Sequence, residues 1–441
     1  MRTGSGGRAA VPEGLTPDPA SPAVLRSAAR RRLLADRRGS ALALFAIALP
    51  MLFGAIGLAV DTAHWVLLKR QLQQVADSAA MSGSYTAVQG GDIDYAVDED
   101  VTRNRGSIAS LNTRAALSPE GRDGDPYAVA VTVSAPAGLS FASLFLSKPL
   151  IVSASATATV IETPDFCGFA LESSSEAGIV IDPDSIIESE CGLATNSSAA
   201  NAIAGDPSSK IAASKLFAYG GIVGTGNAGA TRARAYSLKQ KDPGADLEPP
   251  EIPAGGCPNI TVNDDGGTAA ALSPGCFGNL VINGRATLRP GNYVLNRGNI
   301  LFGPKADVTC DGCSFFLTSQ DAEKVPTSIG RARIDPGATV HLAAPAEGPY
   351  AGLLMYQDRR AAPEPDGEEN ILSGNADSKL EGIVYFPSQS LRLDASASPD
   401  MRCARLIGRK LILKGHVVIA KGCSADGGKI ALAGAEVRLV G

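Results

Sequence analysis

Hydrophobic and polar residues are separated most sharply near the start of the chain. Gly39 to Val60 form a run of 22 residues without a charged side chain. An α-helix rises about 1.5 Å per residue, so this run would span roughly 33 Å, enough to cross a bilayer core of about 30 Å. Pro50 lies mid-run and is expected to kink the helix without breaking it. The pattern predicts a membrane anchor at 39–60, with Trp65 one turn beyond it at the interface. Asp61 is interpreted as the interfacial end of this anchor, where its charge can reach water, rather than as a proton relay.

The charges on either side of this run predict its orientation. Six arginines lie just upstream, whereas Lys69 and Arg70 are the only Lys or Arg residues among the twenty residues downstream. The positive-inside rule therefore places the N-terminus in the cytoplasm and most of the chain outside it. A buried core helix is disfavoured by the run's length beside so much arginine. A cleaved signal peptide is the other alternative, because Gly57-Leu58-Ala59 has small-residue character, but signal-peptide apolar regions run about 7–15 residues. The six arginines upstream of the uncharged run are Arg26, Arg30, Arg31, Arg32, Arg37 and Arg38.

The apolar period continues beyond the anchor. Residues spaced three and four apart predict an extramembrane helix over 61–83 with a narrow apolar seam, ending near Gly83 and Ser84. The seam packs either on a partner helix or on the chain's own downstream domain, and the sequence favours neither. The seam residues are Trp65, Leu68, Leu72, Val75 and Ala79.

Alternating patterns then replace helical ones. Residues 84–165 are expected to form a small α/β unit with strands at Tyr127–Ser134 and Leu150–Val160 and a short amphipathic helix at Leu139–Leu146. From 166 to 441, short β-prone runs divided by Gly and Asp predict a β-rich domain, either a parallel β-solenoid or a β-sandwich. The fold class is thus α+β and mostly β.

Two segments of this β-rich domain are polar and rich in proline. Leu238–Pro253 is predicted to be an extended linker, and Asp358–Glu369 an exposed loop.

Charge changes the picture at the N-terminus. The chain carries a formal charge of -5, but residues 1–38 hold eight Arg against Glu13, Asp18 and Asp36, a net of +5, which leaves -10 on the remainder. We expect residues 1–38 to be a disordered cytoplasmic tail, because they cannot bury enough apolar surface to offset chain entropy. The acidic balance argues against nucleic acid as a partner.

Eight cysteines all lie between Cys167 and Cys423. In an oxidising compartment all of them can pair, and the spacing favours sequence neighbours. A zinc site is the alternative, but Cys310 and Cys313 have no second pair of ligands to complete one. The favoured disulfides are Cys167–Cys191, Cys257–Cys276, Cys310–Cys313 and Cys403–Cys423.

The segment from Arg37 to Gly83 resembles the N-terminal signature of the TadE/TadG-like Tad (tight adherence) pilus-assembly proteins. A basic pair and Gly precede an apolar span with a central Pro, an Asp stands at its outer end, and a helix reading (R)xLQxxADxAA follows. Segments such as CGFALESS and GIVYFPSQSL resemble longer TadG-like proteins more loosely. The matching residues are Arg37, Arg38, Gly39, Pro50, Asp61, Arg70, Leu72, Gln73, Ala76, Asp77 and Ala79.

The resemblance implies a structural or assembly component of the Flp-type pilus, anchored in the bacterial inner membrane, with its bulk in the periplasm or spanning the envelope. Its expected partners are membrane lipid and other Tad/Flp pilus-assembly proteins. Pilin-like members carry a Glu five residues after the Gly, where this chain has Leu44, so we expect an uncleaved anchor. An alternative is an adhesin or glycan-binding module on the same anchor, with a surface glycan as partner.

Three further patterns suggest chemistry but are better explained by turns. Gly224, Gly226 and Gly229 match GxGxxG without the surrounding βαβ unit of a dinucleotide site. Asp394-Ala-Ser396-Ala-Ser398 matches the DxSxS of a metal-dependent adhesion site, but no buried strand or helical repeat flanks it. The sequence predicts no catalytic residue, no metal, no cofactor and no enzyme. A polysaccharide-cleaving solenoid would need clustered acids, for which the candidates are Asp307, Asp311, Asp335, Asp358 and Asp394. The three histidines, His64, His341 and His416, lie far apart in sequence, so no Ser-His-Asp or nucleophilic-Cys arrangement can be argued from them.

Overall fold

The structure is a computed structural model that describes residues 40–108, 110–117, 125–163, 166–224, 232–253, 256–264, 266–364, 368–420 and 432–440. The cytoplasmic-tail prediction and the residues Arg37, Arg38, Gly39 and Cys423 lie outside these ranges. Contacts divide the chain into two compact units. The first comprises 1–78, 98–114 and 131–156, and the second comprises 79–97, 115–130 and 157–441.

Within the described residues, two helices precede the strands. Helix α1 runs from Ser40 to Val88 and α2 from Ile93 to Asn104. The uncharged run and the seam are therefore one continuous helix, which passes the end predicted at Gly83 and Ser84 by one turn. Two short 3₁₀ turns lie at Ala142–Leu144 and Pro326–Ser328. The first stands where the sequence predicted an amphipathic helix at Leu139–Leu146, which was wrong in type and length.

The strands in chain order are β1 (Asn112–Leu117), β2 (Val129–Pro136), β3 (Ile151–Thr163), β4 (Phe166–Ala170), β5 (Ile179–Ile181), β6 (Ile186–Thr195), β7 (Ile203–Gly205), β8 (Lys210–Ala218), β9 (Ile222–Val223), β10 (Arg232–Arg234), β11 (Ile260–Asn263), β12 (Ala270–Leu272), β13 (Gly275–Phe277), β14 (Leu280–Asn283), β15 (Arg285–Leu288), β16 (Gly291–Asn296), β17 (Ile300–Phe302), β18 (Asp307–Asp311), β19 (Cys313–Thr318), β20 (Ala332–Ile334), β21 (Thr339–Ala343), β22 (Leu353–Gln357), β23 (Asn370–Leu372), β24 (Lys379–Phe386), β25 (Leu391–Ala395), β26 (Ala404–Gly408), β27 (Leu411–Ile419) and β28 (Gly434–Leu439).

Strands β1, β2, β3 and β28 form a four-stranded sheet in that order. Strand β28 lies antiparallel to β3, with Gly434 opposite Thr163 and Leu439 opposite Ala158. The alternation predicted for Leu150–Val160 is present, because Ala154, Ala156 and Ala158 are buried on one side of β3.

Strands β4 to β27 form a parallel β-solenoid rather than a sandwich. From β11 to β22, each coil adds one strand to each of three parallel ladders, so Leu280 lies beside Ile300 and Ala286 beside Val308 in successive coils. The interior is one continuous apolar core that includes Phe302, Phe315 and Leu393. Parallel strands that are buried on both faces have unbroken apolar runs in sequence, as in the buried residues 353–356 of β22.

The coils do not stack in chain order. Strand β27, the last in the stack by sequence, pairs with β25 on one side and with β5 and β6 on the other. Strand β4, the first, pairs likewise with β26. The coils of residues 166–234 therefore stack on the end of the coils of residues 260–419. The whole solenoid is an insertion between β3 and β28. The chain enters and leaves it side by side, where the Phe166 amide donates to the Leu432 carbonyl at 3.3 Å.

Residues 235–253, which we call the strap, connect the two ends of this stack. The strap covers an apolar cluster on the outer side of one ladder, which includes Phe316, Tyr356 and Tyr385, with Leu247 and Ile252 packed against it. The Tyr356 hydroxyl donates to the Leu247 carbonyl at 3.1 Å, and the Tyr385 hydroxyl donates to Asp242 at 2.8 Å. Burial is the largest cause that raises the pKa of Tyr385, and the Asp242 carboxylate raises it further. The predicted linker thus follows an extended path on the solenoid surface.

Three disulfides join sequence neighbours: Cys167–Cys191, Cys257–Cys276 and Cys310–Cys313. Cys403 is also disulfide-bonded. The Cys257–Cys276 bond ties the chain just after the strap to β13 in the first coil of the stack.

Replacing Cys257 and Cys276 together by serine is expected to cost about 3 kcal/mol of unfolding free energy, because the bond closes a loop of 19 residues. The Cys310–Cys313 bond spans only three residues and is the matched control. Its double serine variant should cost about half as much on the same chain-entropy account. Chemical denaturation of the detergent-solubilised protein measures both, and an equal loss in the two variants would contradict the prediction.

Candidate functional site at the outer end of the apolar helix

Helix α1 exposes most of its apolar side chains. The stretch Leu44–Val88 is long and apolar enough to cross a membrane, with a mean hydropathy of 2.1 in its most apolar window. Leu42, Phe45, Ile47 and Met51 are each at least 66% exposed. Such a surface is costly in water and suits a lipid environment. This agrees with the predicted anchor at 39–60, within which Pro50 is also exposed.

Asp61 stands just beyond the uncharged run and is fully buried. Its carboxylate accepts backbone N–H groups from Ser140 at 3.2 Å, from Phe141 at 2.9 Å and from Ala142 at 2.5 Å. These donors lie at the start of the first 3₁₀ turn, where N–H groups have no partner inside the turn. The interpretation from sequence, that the Asp61 charge reaches water at the membrane surface, was wrong, because backbone donors replace the water.

Other contacts join the same stretch of α1 to the β2–β3 loop (residues 137–150). Gly57 packs against the ring of Phe141 so closely that a Cβ there would lie 2.5 Å from the ring's Cγ. Trp65 donates from Nε1 to the Gly138 carbonyl at 3.2 Å. The Ala137 amide donates to the Leu150 carbonyl at 2.7 Å and closes the base of the loop. Glycine at position 57 is therefore required by a close side-chain approach.

The seam on α1 is buried within the chain itself. Leu72 and Val75 are at most 2% exposed, Ala79 is fully buried, and Trp65 and Leu68 are half-buried. Beside the seam, Gln73 donates to the Ser155 carbonyl of β3 at 3.0 Å. Of the two readings of the seam, packing on the downstream part of the chain accounts for this burial.

The remaining signature residues lie on the same helix. Gln73 also donates to Asp77 at 2.8 Å, Ala76 is buried, and Arg70 is exposed. Further along α1, the Ser78 hydroxyl donates to the Asp100 carboxylate of α2 at 3.2 Å. Within α2, the Asn104 side chain donates to the same carboxylate at 2.9 Å. The signature thus combines exposed apolar, buried and exposed polar positions on a single helix.

One family model matches the sequence of this helix. Residues 39–89 match the Tad family, Flp pilus-assembly TadE/G-like proteins. The match ends one residue after α1 ends at Val88, so the TadE/G-like segment is helix α1 itself. No curated protein and no solved structure matches the chain. The resemblance deduced from the signature is confirmed over these residues, and the solenoid gains no relative from the comparisons.

Outside the TadE/G-like segment, the candidate acids of the solenoid are dispersed. Asp307 pairs with Arg285, Asp335 with Arg333 and Asp394 with Lys414, at 2.5–3.3 Å. Asp358 is buried: burial raises its pKa, but hydrogen bonds from Arg360 and Thr318 lower it more, so its net pKa is below the ordinary value.

The DxSxS motif lies at the end of a solenoid strand. Ser396 donates to Asp394, and Lys414 occupies the other carboxylate oxygen at 3.0 Å. Burial raises the pKa of Asp394, yet these two hydrogen bonds hold it below its usual range. No group of His, Cys, Asp or Glu that could hold a metal occurs in the described parts of the chain. Of the GxGxxG motif only Gly224 lies within those parts.

A shallow cavity of about 300 Å³ lies on the outer side of the ladder that contains β18, β21 and β24. Thr309, Asp311, His341, Lys379 and Glu381 line it, and Lys379 pairs with Glu381. None of its lining residues is Phe, Tyr or Trp. The cavity therefore lacks the flat apolar platform on which a sugar ring would stack.

The predicted exposed loop at Asp358–Glu369 is partly wrong. Asp358 is 1% exposed and Ala361 5% exposed, and Glu364 extends into an ion cluster with Arg409. Residues 365–367 lie outside the described ranges. The apolar and paired residues at its start fix the loop to the solenoid surface.

Proposed function

We propose that the protein is a membrane-anchored structural component of the Flp-type pilus-assembly machinery. The match of residues 39–89 to the TadE/G-like family carries this proposal. Helix α1 anchors the chain in the inner membrane with its N-terminus in the cytoplasm, and the solenoid acts outside the cytoplasm. The disulfides support export, because such bonds persist in oxidising compartments.

The role we infer is structural rather than catalytic. Four of the solenoid's five candidate acids, Asp307, Asp335, Asp358 and Asp394, each pair with a basic side chain. A stack of coils offers extended surfaces for other assembly proteins. An adhesin role would use the same anchor and the same solenoid, so the two roles differ in what the exported part contacts.

Deleting the gene in its host is expected to abolish surface Flp pili in electron micrographs, and the full-length chain should restore them. Cross-linking in the restored strain should recover other pilus-assembly proteins with the chain. Normal pili in the deletion strain would contradict the proposal. Normal pili combined with lost surface attachment would favour the adhesin.

Topology requires its own measurement. An alkaline phosphatase fused after Val440 should be active, and the intact chain, including Leu44, should appear in the membrane fraction by mass spectrometry. Activity of a cytoplasmic reporter at that position would overturn the orientation, and a mature N-terminus after Ala59 would overturn the retained anchor.

A further inference from the structure

Exposed apolar side chains outside α1 are concentrated in one place. Leu144 and Phe145 are 78% and 77% exposed, and Ile151, the first residue of β3, is 57% exposed. Phe141, Leu146 and Leu150 are each 44–45% exposed. Elsewhere in the described ranges large exposed apolar residues occur singly or in sequence-distant positions, as do Tyr236 and Val325. A cluster of this size on a folded chain marks a contact surface.

The β2–β3 loop is fixed to α1 at the level where the uncharged run ends. Asp61 holds its backbone, and Phe141 packs on Gly57, three residues inside that run. At about 1.5 Å per residue, the Phe141 ring lies roughly 4–5 Å within the apolar span. A loop held at this level meets the same surroundings as the end of the helix.

The chemistry of the loop fits a bilayer interface. The loop contacts α1 at Gly57, and Phe53, one turn earlier on the same helix face, is more than half exposed, as is Ile56 beside Gly57. Lys148 is exposed within the loop and can reach acidic headgroups, while Trp65 of α1 donates to the loop at Gly138. A protein partner would need no such continuity with a lipid-facing helix.

We propose that the β2–β3 loop together with Ile151 is a second membrane-contacting element, which lies in the interface of the bilayer that α1 spans. Phe141, Leu144, Phe145 and Leu146 enter the acyl region, and Lys148 stays with the headgroups. The loop thereby fixes the rotation of α1 about its own axis, which a single helix alone leaves free. The inference rests on the membrane anchoring proposed above.

The test places a tryptophan at the tip of the loop. Full-length Phe145→Trp protein is reconstituted in vesicles of phosphatidylethanolamine and phosphatidylglycerol with brominated acyl chains, and the wild-type protein supplies the signal of Trp65. The added fluorescence should shift to shorter wavelength, be quenched by the brominated lipid and be protected from aqueous iodide. Tyr236→Trp, at a 75% exposed position of the strap, is the matched control and should show the opposite behaviour.

The outcomes separate the loop from the anchor. A protein that floats with the vesicles, but whose Phe145→Trp fluorescence is quenched by iodide and not by brominated lipid, overturns the loop proposal alone. A protein that does not float overturns the anchoring, and the loop proposal with it. In cells, a photoreactive phenylalanine analogue at position 145 should cross-link to lipid, and a cross-link to a second protein would overturn the bilayer as the occupant.

Discussion

Asp61→Ala is expected to release the β2–β3 loop from helix α1. The carboxylate accepts three backbone N–H groups, of which that of Ala142 is fully buried. A buried donor left without a partner costs about 1–3 kcal/mol, so the loss of all three should destabilise the loop by about 2–4 kcal/mol. Limited proteolysis of the reconstituted protein should show faster cleavage within residues 137–150.

The same variant is expected to reduce pilus assembly, because the loop and the TadE/G-like segment are held together by this carboxylate. Asp61→Asn keeps one acceptor oxygen and should lie between wild type and alanine in cleavage rate. Asp77→Ala removes a half-buried carboxylate that accepts a hydrogen bond from the Gln73 side chain at 2.8 Å, and it serves as the structural control. Equal cleavage rates in Asp61→Ala and wild type would contradict the assigned role.

Arg409→Ala should be the most destabilising single charge removal in the solenoid. Arg409 bridges Glu172 at 2.8 Å and Glu364 at 2.9 Å, and these carboxylates are only 8% and 6% exposed. Breaking a buried pair by removing one partner costs about 3–5 kcal/mol, because the remaining charge is buried without compensation. Thermal unfolding at neutral pH measures the loss.

The pH dependence gives an internal check on this cluster. Burial raises the pKa of Glu172, but hydrogen bonds from Ser174 and the charge of Arg409 lower it more, and the net pKa is below its ordinary 4.5. For Glu364 too, burial raises the pKa, but hydrogen bonds involving Ser390 together with the charge of Arg409 lower it more, so the net pKa is below its ordinary value. A carboxyl group whose pKa is lower in the folded than in the unfolded state stabilises the fold at pH values above its unfolded-state pKa. This stabilisation is lost as the pH falls through the folded-state pKa.

The gap in stability between wild type and Arg409→Ala should therefore be widest near neutral pH and shrink below about pH 4.5. Arg285→Ala removes an exposed pair with Asp307 and should cost less than about 1 kcal/mol at any pH. A gap for Arg409→Ala that stays constant into acid would show that the lost stability comes from packing rather than from the ion cluster.

Local patterns predicted local structure well. The uncharged run and the 3–4 spacing of Leu68, Leu72 and Val75 predicted helix α1, because both depend on residues within a few turns of one another. The alternation in β3 likewise predicted which side is buried. The end of α1 was misplaced because Ser84 donates to the Tyr127 carbonyl at 3.0 Å, a contact with a distant part of the chain that supports a further turn.

The order of the coils could not be predicted from local patterns. The pairing of β4 with β26 joins strands separated by more than two hundred residues, and no short motif specifies it. A repeat signal was nevertheless present. Asn259, Asn279 and Asn299 are spaced by twenty residues. The side-chain oxygen of each accepts a hydrogen bond from the backbone N–H of the equivalent residue in the next coil. This asparagine ladder favours a solenoid over a sandwich.

Contacts made by backbone groups were also missed. Nothing in the sequence near Asp61 indicates that its partners are amides eighty residues later, so an aspartate at the end of an apolar run was interpreted as solvated. The apolar residues of the strap, Leu238, Leu247 and Ile252, were a usable signal, because a solvated linker has no need of them.

The insertion of β27 next to β5 and β6 has a consequence for biogenesis. On the proposed export route, strands β4 to β9 emerge first, and one edge of β4 stays open until β26 follows. An open parallel edge recruits foreign strands. We therefore expect the nascent chain to need a holding chaperone while some two hundred residues follow, and we expect premature termination within that interval to yield an aggregation-prone fragment.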